Sequence, residues 1–174
     1  MTFARFARVF TVTVSVGVLG GCVSGCGGSK EVMFRDVSRG LAFRYPRGWS
    51  VTGFSTTNSP SRLVVASYHV ELRQVEGDCG GIEALSKLPA RGAAVLIIDY
   101  GSGVLSAGFA PKPRRFQLRS GRYGNYECFG RSWVFRFHSA GRDVQAHVIL
   151  GRLASSDVRG KALTILNSFG KSTR

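Results

Sequence analysis

The sequence predicts a single α+β domain in which an antiparallel β-sheet is followed by a C-terminal amphipathic helix. Short apolar or alternating segments, separated by Gly, Pro, Asn and Ser, are typical of antiparallel strands. Near the end of the chain the apolar spacing changes to that of a helix. A length of 174 residues, with 44% hydrophobic and 20% charged residues, fits one globular domain and excludes a disordered chain.

The first half of the domain is predicted to contain five strands and one short internal helix. Pro46-Arg47-Gly48 turns the chain after the second strand. Residues 82–88 have helical spacing and end before Pro89. The last strand is the most apolar, which places it at the centre of the sheet. The five strands are residues 31–34, 41–45, 49–54, 63–70 and 93–100.

The second half is predicted to contain a clear hairpin preceded by shorter elements. Residues 132–138 pair with residues 143–150 around the turn Ser139-Ala140-Gly141. Alternation places one set of side chains on a single face of this hairpin: Trp133, Phe135, Phe137, Val144, Ala146, Val148 and Leu150. The preceding elements are a loop over 101–113, a strand over 116–118, a turn over 121–124 and a short strand over 126–129.

The C-terminal helix is predicted from its cap and its apolar spacing. Ser155 or Ser156 caps its N-terminus, and Gly170 is a plausible stop. The apolar side chains recur at helical intervals and form one face: Val158, Ala162, Ile165, Leu166 and Phe169.

The N-terminal segment has the layout of a secretory signal. Arg5 and Arg8 precede an uncharged run over residues 9–19, which is followed by small residues and a cysteine. The run is too short to cross a membrane, because a hydrocarbon core of ~30 Å takes about 20 apolar residues.

Leu19-Gly20-Gly21-Cys22 resembles the lipobox of bacterial lipoproteins. The resemblance implies that residues 1–21 are a signal peptide and that Cys22 carries acyl chains at the extracytoplasmic face of the cell membrane. Cys26 is the alternative lipidation site, and an ordinary signal peptide is the alternative to a lipoprotein. Residues 22–30, rich in Gly and Ser, are then a flexible tether to an exported domain of residues 31–174.

Two stretches of the domain resemble the PsbP-like fold, which also occurs in LpqN-type bacterial lipoproteins. They are Gly40-Leu41-Ala42-Phe43-Arg44-Tyr45-Pro46-Arg47-Gly48-Trp49 and Ile165-Leu166-Asn167-Ser168-Phe169. The resemblance implies an antiparallel sheet with helices, and a binding or assembly role rather than catalysis.

Two cysteines remain in the domain after the leader and tether. An even count in an oxidising compartment predicts a disulfide between Cys79 and Cys128. On the chain-entropy model a closed loop of about 50 residues stabilises a protein by roughly 4 kcal/mol.

The chain is strongly basic, with 24 Lys and Arg against 10 Asp and Glu and a formal net charge of +14. Such a charge attracts anionic envelope lipids and wall polymers, whereas export argues against nucleic acid, and a partner protein is a further candidate. The densest basic segment contains Lys112, Arg114, Arg115 and Arg119 around Phe116. A solvated loop is favoured over a binding surface as its interpretation, because scattered charges are normal on surfaces.

No catalytic, cofactor or metal site is predicted. The loop around Cys79, Gly77-Asp78-Cys79-Gly80-Gly81, resembles a protease nucleophile loop, but only His69 precedes it as a base. His138 and His147 lie near one another in the predicted hairpin, without a third metal ligand. We therefore expect a non-enzymatic binding or accessory lipoprotein, and the alternative is an envelope enzyme of unknown reaction.

Overall fold

The computed structural model describes residues 30–54, 60–72, 79, 81–102 and 108–171. The predicted signal peptide, the tether up to residue 29, and both Cys22 and Cys26 lie outside the described residues. Within them the chain has the predicted α+β architecture, with two open sheets and one longer helix.

The described elements comprise ten strands, one α-helix and two 3-10 helices. The 3-10 helices are Ile82–Lys87 and Leu118–Ser120. The α-helix, α1, is Ser156–Asn167. The strands are β1 (Glu31–Asp36), β2 (Leu41–Pro46), β3 (Ser50–Phe54), β4 (Ser61–Ala66), β5 (Ala93–Asp99), β6 (Ala110–Pro111), β7 (Arg122–Tyr126), β8 (Gly130–Ser139), β9 (Arg142–Leu150) and β10 (Gly170–Lys171).

The strands form a small sheet and a large one. The small sheet has the order β1-β2-β10 and is antiparallel throughout. The large sheet has the order β3-β4-β5-β9-β8-β6, and β7 also pairs with β8. Only the two-residue strand β6 runs parallel to its neighbour among the described pairs. As predicted, the apolar strand β5 lies inside the sheet, between β4 and β9.

The main core lies between one face of the large sheet and the layer formed by α1 and the small sheet. Side chains from β4, β5, β8 and β9 meet the apolar face of α1 there. Fully buried members of this core include Phe43, Phe137, Val95, Ile165 and Leu166. Burial of a side chain of this size stabilises the fold by about 1.5–3 kcal/mol.

A second apolar cluster covers the opposite face of the large sheet. It joins Val64, Leu96 and Ile149 of the sheet to Ile82 and Leu85 of the first 3-10 helix. The large sheet is therefore buried on both faces, which explains why β5 reads as a continuous apolar run rather than as an alternating one.

The predicted hairpin is confirmed as β8 and β9. Phe135 lies opposite Ala146, and Phe137 lies opposite Val144. All of these side chains belong to the main core. The turn between the strands has a positive φ at Ala140 (56°) and at Gly141 (78°), the pattern that matches the twist of a two-residue hairpin loop.

The prediction for residues 110–129 is wrong in three places. The loop predicted up to residue 113 contains β6, and the strand predicted over 116–118 gives way to the 3-10 helix Leu118–Ser120. The turn predicted over 121–124 and the strand predicted over 126–129 are replaced by β7 at residues 122–126 and a turn at residues 127–129. Pairing with β8 outweighs the local turn preference of the glycine and asparagine in this strand.

The ends of α1 differ slightly from the prediction. Ser155 is the N-cap, because its hydroxyl accepts a hydrogen bond from the Val158 amide at 3.3 Å. Gly170 does not stop the helix but begins β10, and Ser168 is the C-cap. The internal helix predicted over 82–88 is present as a 3-10 helix.

Candidate functional site

A cleft opens where two strands diverge from the outer edge of β8. On this edge β8 pairs with β7 through residues 130–134 and with β6 through residues 137–138. Phe135 and Arg136 lie between these two ladders, and both line the cleft. The cleft has a volume of about 640 Å³.

Four arginines line this cavity, which we call the arginine cleft: Arg115, Arg119, Arg122 and Arg136. Arg115 and Arg119 come from the segment between β6 and β7, and the other two come from the strands themselves. All four residues are exposed. Aromatic and proline side chains also line the cleft, and no Asp or Glu does. The arrangement concentrates positive charge over a largely apolar base.

Phe116 and Asn167 hold the segment between β6 and β7 in place. The Phe116 ring lies 5.3 Å from the ring of Phe135 and 5.1 Å from that of Phe137, measured between centroids. The Phe116 amide donates to Oδ1 of Asn167, the last residue of α1, at 2.7 Å. Arg115 and Arg119 therefore flank an anchored residue.

Lys112 belongs to the predicted basic segment but binds the C-terminus of α1 and does not line the cleft. Its Nζ donates to the Asn167 carbonyl at 3.0 Å, and its ammonium lies 5.8 Å from the centroid of the Phe116 ring. A cation at a helix C-terminus is favoured by the helix dipole. Burial lowers the pKa of Lys112 below its usual value of 10.5.

The basic segment is thus split by the fold. Arg115 and Arg119 line the cleft, whereas Arg114 is exposed and does not. Arg122 and Arg136 were missed by sequence reasoning. Arg122 lies opposite Val134, so Arg136, two residues further along β8, shares its face of the sheet. The alternation of β8 is visible in the sequence, but the sequence predicts a turn over 121–124, where its partner strand β7 begins.

Within the described part of the chain, none of the four guanidinium groups forms a salt bridge. Arg119 donates through Nε to Oε1 of Gln117 at 2.7 Å. Arg136 donates through Nε to Oε1 of Gln145 at 2.8 Å. In both residues the terminal nitrogens remain available for a ligand. A guanidinium with free terminal nitrogens can bind a carboxylate or phosphate through two parallel hydrogen bonds.

A buried polar chain lies behind Arg136. Gln145 Nε2 lies 2.8 Å from Nε2 of His147, and Nδ1 of His147 lies 3.1 Å from Oγ of Ser132. Because Gln145 already accepts from Arg136, its amide group donates to His147, and the imidazole donates from Nδ1 to Ser132. His147 is only 2% exposed, and the rings of Tyr126 and Phe129 meet it edge-on. In this tautomer Ser132 receives a hydrogen bond from the imidazole, so the pair is not arranged as a nucleophile and its base.

The pKa of His147 is lowered from its ordinary value of 6.5 to about 4, because burial disfavours its charged form and the charge of Arg136 adds to this. The folded-state pKa is below the unfolded-state pKa, so the contribution to stability is complete above pH 6.5 and is lost as the pH falls towards 4. The shift corresponds to about 3 kcal/mol. We expect the stability advantage of the natural protein over His147→Gln to shrink by this amount between pH 7 and pH 4, measured by urea unfolding. Parallel pH profiles would contradict the assignment.

The histidine pair that the sequence left open is not brought together. His138 lies opposite Asp143, and its Nδ1 is 2.9 Å from the Asp143 carboxylate. His147 lies four residues further along β9, at a distance of about 13 Å along the strand. Among the described residues no group of three or more His, Cys, Asp and Glu side chains is placed to hold a metal ion.

The structure joins Cys79 to Cys128 in a disulfide, as the cysteine count predicts. Their Cα atoms are 5.4 Å apart. Cys128 lies in the turn between β7 and β8, and Cys79 precedes the first 3-10 helix. Both cysteines pack against the second apolar cluster. The bond therefore holds the segment of the first 3-10 helix, which covers that cluster, against the sheet.

Comparison with known proteins identifies no relative of this chain. No family profile, no curated protein and no solved structure matches the chain significantly. The resemblances to lipoproteins and to the PsbP-like fold therefore stay predictions. In the described part of the chain, no helix is both long and apolar enough to cross a membrane.

Proposed function

We propose that the protein is a lipid-anchored lipoprotein of the cell envelope whose domain binds an anionic envelope component and catalyses no reaction. The observation that carries the binding role is the arginine cleft, which is lined by four exposed arginines and by no carboxylate. The elements on either side of the cleft are held by the Phe116 contacts and by the β7–β8 ladder, so the site is formed before a ligand arrives.

Two features support export and anchoring. The leader ends in Leu19-Gly20-Gly21-Cys22 directly after its apolar run, as a lipobox does. The Cys79–Cys128 disulfide fits a domain that folds in an oxidising compartment, because such bonds are rare in the cytosol. A lipid anchor with two or more acyl chains would keep the domain stably at the membrane surface.

The experiment that tests the anchor is the intact mass of the full-length protein expressed in a bacterium and extracted from its membranes. We expect a chain that begins at Cys22 and carries the added mass of acyl groups. Cys22→Ser should abolish acylation, whereas the matched variant Cys26→Ser should be acylated like the natural protein. The opposite pattern would move the anchor to Cys26, and a chain without acyl groups would refute the lipoprotein.

A further inference from the structure

We propose that the arginine cleft binds the phosphodiester headgroup of an anionic phospholipid in the membrane that carries the protein. This inference rests on the proposed function, since it takes the nearest anionic surface to be the membrane of the anchor. It commits the cleft to one ligand chemistry, a phosphodiester with apolar chains attached.

The spacing of the strand arginines suits a phosphate. Arg122 pairs with Val134, so Arg122 and Arg136 are diagonal neighbours on one face of two adjacent strands. The Cβ atoms of such a pair lie about 7–8 Å apart, a separation at which two long side chains can reach one tetrahedral anion from both sides. A carboxylate presents its two oxygens in one plane, whereas the two non-bridging and two ester oxygens of a phosphodiester are arranged tetrahedrally, so donors can approach it from different sides.

Two of the guanidinium groups are oriented in advance. The hydrogen bonds from Nε of Arg119 to Gln117 and from Nε of Arg136 to Gln145 fix the plane of each group. Gln145 is itself held by the buried His147. Ordering an arginine side chain on binding is unfavourable, and these bonds remove part of that unfavourable term before the ligand arrives.

The base of the cleft favours a ligand that is not purely ionic. Phe116, Val134 and Phe135 line it, together with Tyr126 and Pro113. A volume of about 640 Å³ exceeds what one phosphate group fills, and it leaves room for the glycerol unit and the first methylene groups of a lipid. Phe116, Val134 and Phe135 are each at most 8% exposed, so the apolar surface that a ligand can cover here belongs mainly to Pro113 and Tyr126.

The length of the tether favours the membrane over a distant polymer. Only seven residues separate Cys22 from Lys30, the first residue that the structure describes. The domain therefore stays close to the lipid headgroups, which it meets at a high effective concentration. The four arginines add to an electrostatic attraction that any anionic bilayer exerts on basic surfaces.

Native mass spectrometry of the acylated protein in a nonionic detergent tests the inference. The protein is titrated with phosphatidylglycerol, with phosphatidylcholine at the same mole fraction, with inorganic phosphate and with a polyglycerol phosphate oligomer. We expect one phosphatidylglycerol per chain, bound at least tenfold more tightly than each of the other three probes. Tighter binding of the oligomer would overturn the inference in favour of a polymer, and equal binding of inorganic phosphate would overturn it in favour of a free anion.

A charge-matched pair of variants locates the binding. Arg119→Gln with Arg136→Gln should weaken phosphatidylglycerol binding at least tenfold. Arg47→Gln with Arg114→Gln removes the same charge from exposed residues outside the cleft and should change binding less than twofold. Equal losses in both double variants would show non-specific attraction and overturn the inference. Thermal unfolding of both variants checks that each is folded.

The same spectra separate the two proposals. A chain without acyl mass would refute the anchor, while the lipid titration would still report on the cleft. An acylated chain that shows no preference for phosphatidylglycerol would refute the cleft as a headgroup site and leave the anchor intact.

Discussion

Replacing Arg142 with methionine is expected to lower the free energy of unfolding by about 3 kcal/mol, the low end of the range for breaking a buried ion pair, because the Arg142 side chain is 23% exposed. Asp99, the last residue of β5, is 3% exposed. Arg142 Nε donates to its Oδ1 at 2.8 Å, and Nη2 donates to its Oδ2 at 2.8 Å. Among the described residues, the Gly101 amide at 3.0 Å is then the one remaining hydrogen-bond partner of the Asp99 carboxylate. Urea unfolding at neutral pH measures the loss.

The variants that accompany Arg142→Met separate ion pairing from packing. Adding Asp99→Leu should recover most of the loss, because the unpaired charge is then absent. Lys161→Met breaks an exposed pair with Asp157, whose side chains are 46% and 69% exposed, and should cost no more than about 0.5 kcal/mol. Arg142→Met with the stability of Lys161→Met would show that the Asp99 pair contributes little.

Removing the disulfide by Cys79→Ala with Cys128→Ala is expected to lower the free energy of unfolding by about 4 kcal/mol. The two cysteines are 49 residues apart in the chain, and the estimate follows from the loop-closure entropy of that separation. A second reason for a large effect is that the bond holds the first 3-10 helix against the second apolar cluster.

The check is chemical denaturation of the natural protein with and without a reducing agent, beside the double variant. The reduced protein and the double variant should unfold at the same lowered midpoint, and reductant should not affect the variant. An unchanged midpoint after complete reduction would mean that packing alone holds this face together.

The parts of the fold that were predicted correctly depend on local sequence. The hairpin of β8 and β9 follows from strict alternation, and α1 follows from a serine cap before helical spacing. The Cys79–Cys128 pair follows from counting, since the domain offers no other cysteine. Neighbouring residues alone carry the signal for the hairpin and the helix, and the disulfide needs only a count, because two cysteines allow a single pairing.

The arginine cleft could not be predicted from the sequence, because it is formed by contacts between residues that are distant in the chain. Strand β7 contains Gly124 and Asn125, which favour turns, and only its pairing with β8 makes it a strand. Strand β6 has two residues and ends in Pro111, which an edge strand tolerates. Phe116 is fixed by Asn167, 51 residues away. The predicted basic segment therefore contains Arg115 and Arg119, but local spacing does not show that they share a cleft with Arg122 and Arg136.

Strand β10 completes the small sheet, although it lies at the opposite end of the described chain from β1 and β2. Gly170 pairs with Ala42 of β2, and the Arg44 amide donates to the Ser168 hydroxyl across 124 residues of chain. Contacts of such high sequence separation slow folding, because a long loop must close before they form. A nascent polypeptide thus lacks the strand that extends its β1–β2 hairpin into a three-stranded sheet. Assembly of the small sheet is therefore deferred until residue 170 is available to pair with β2.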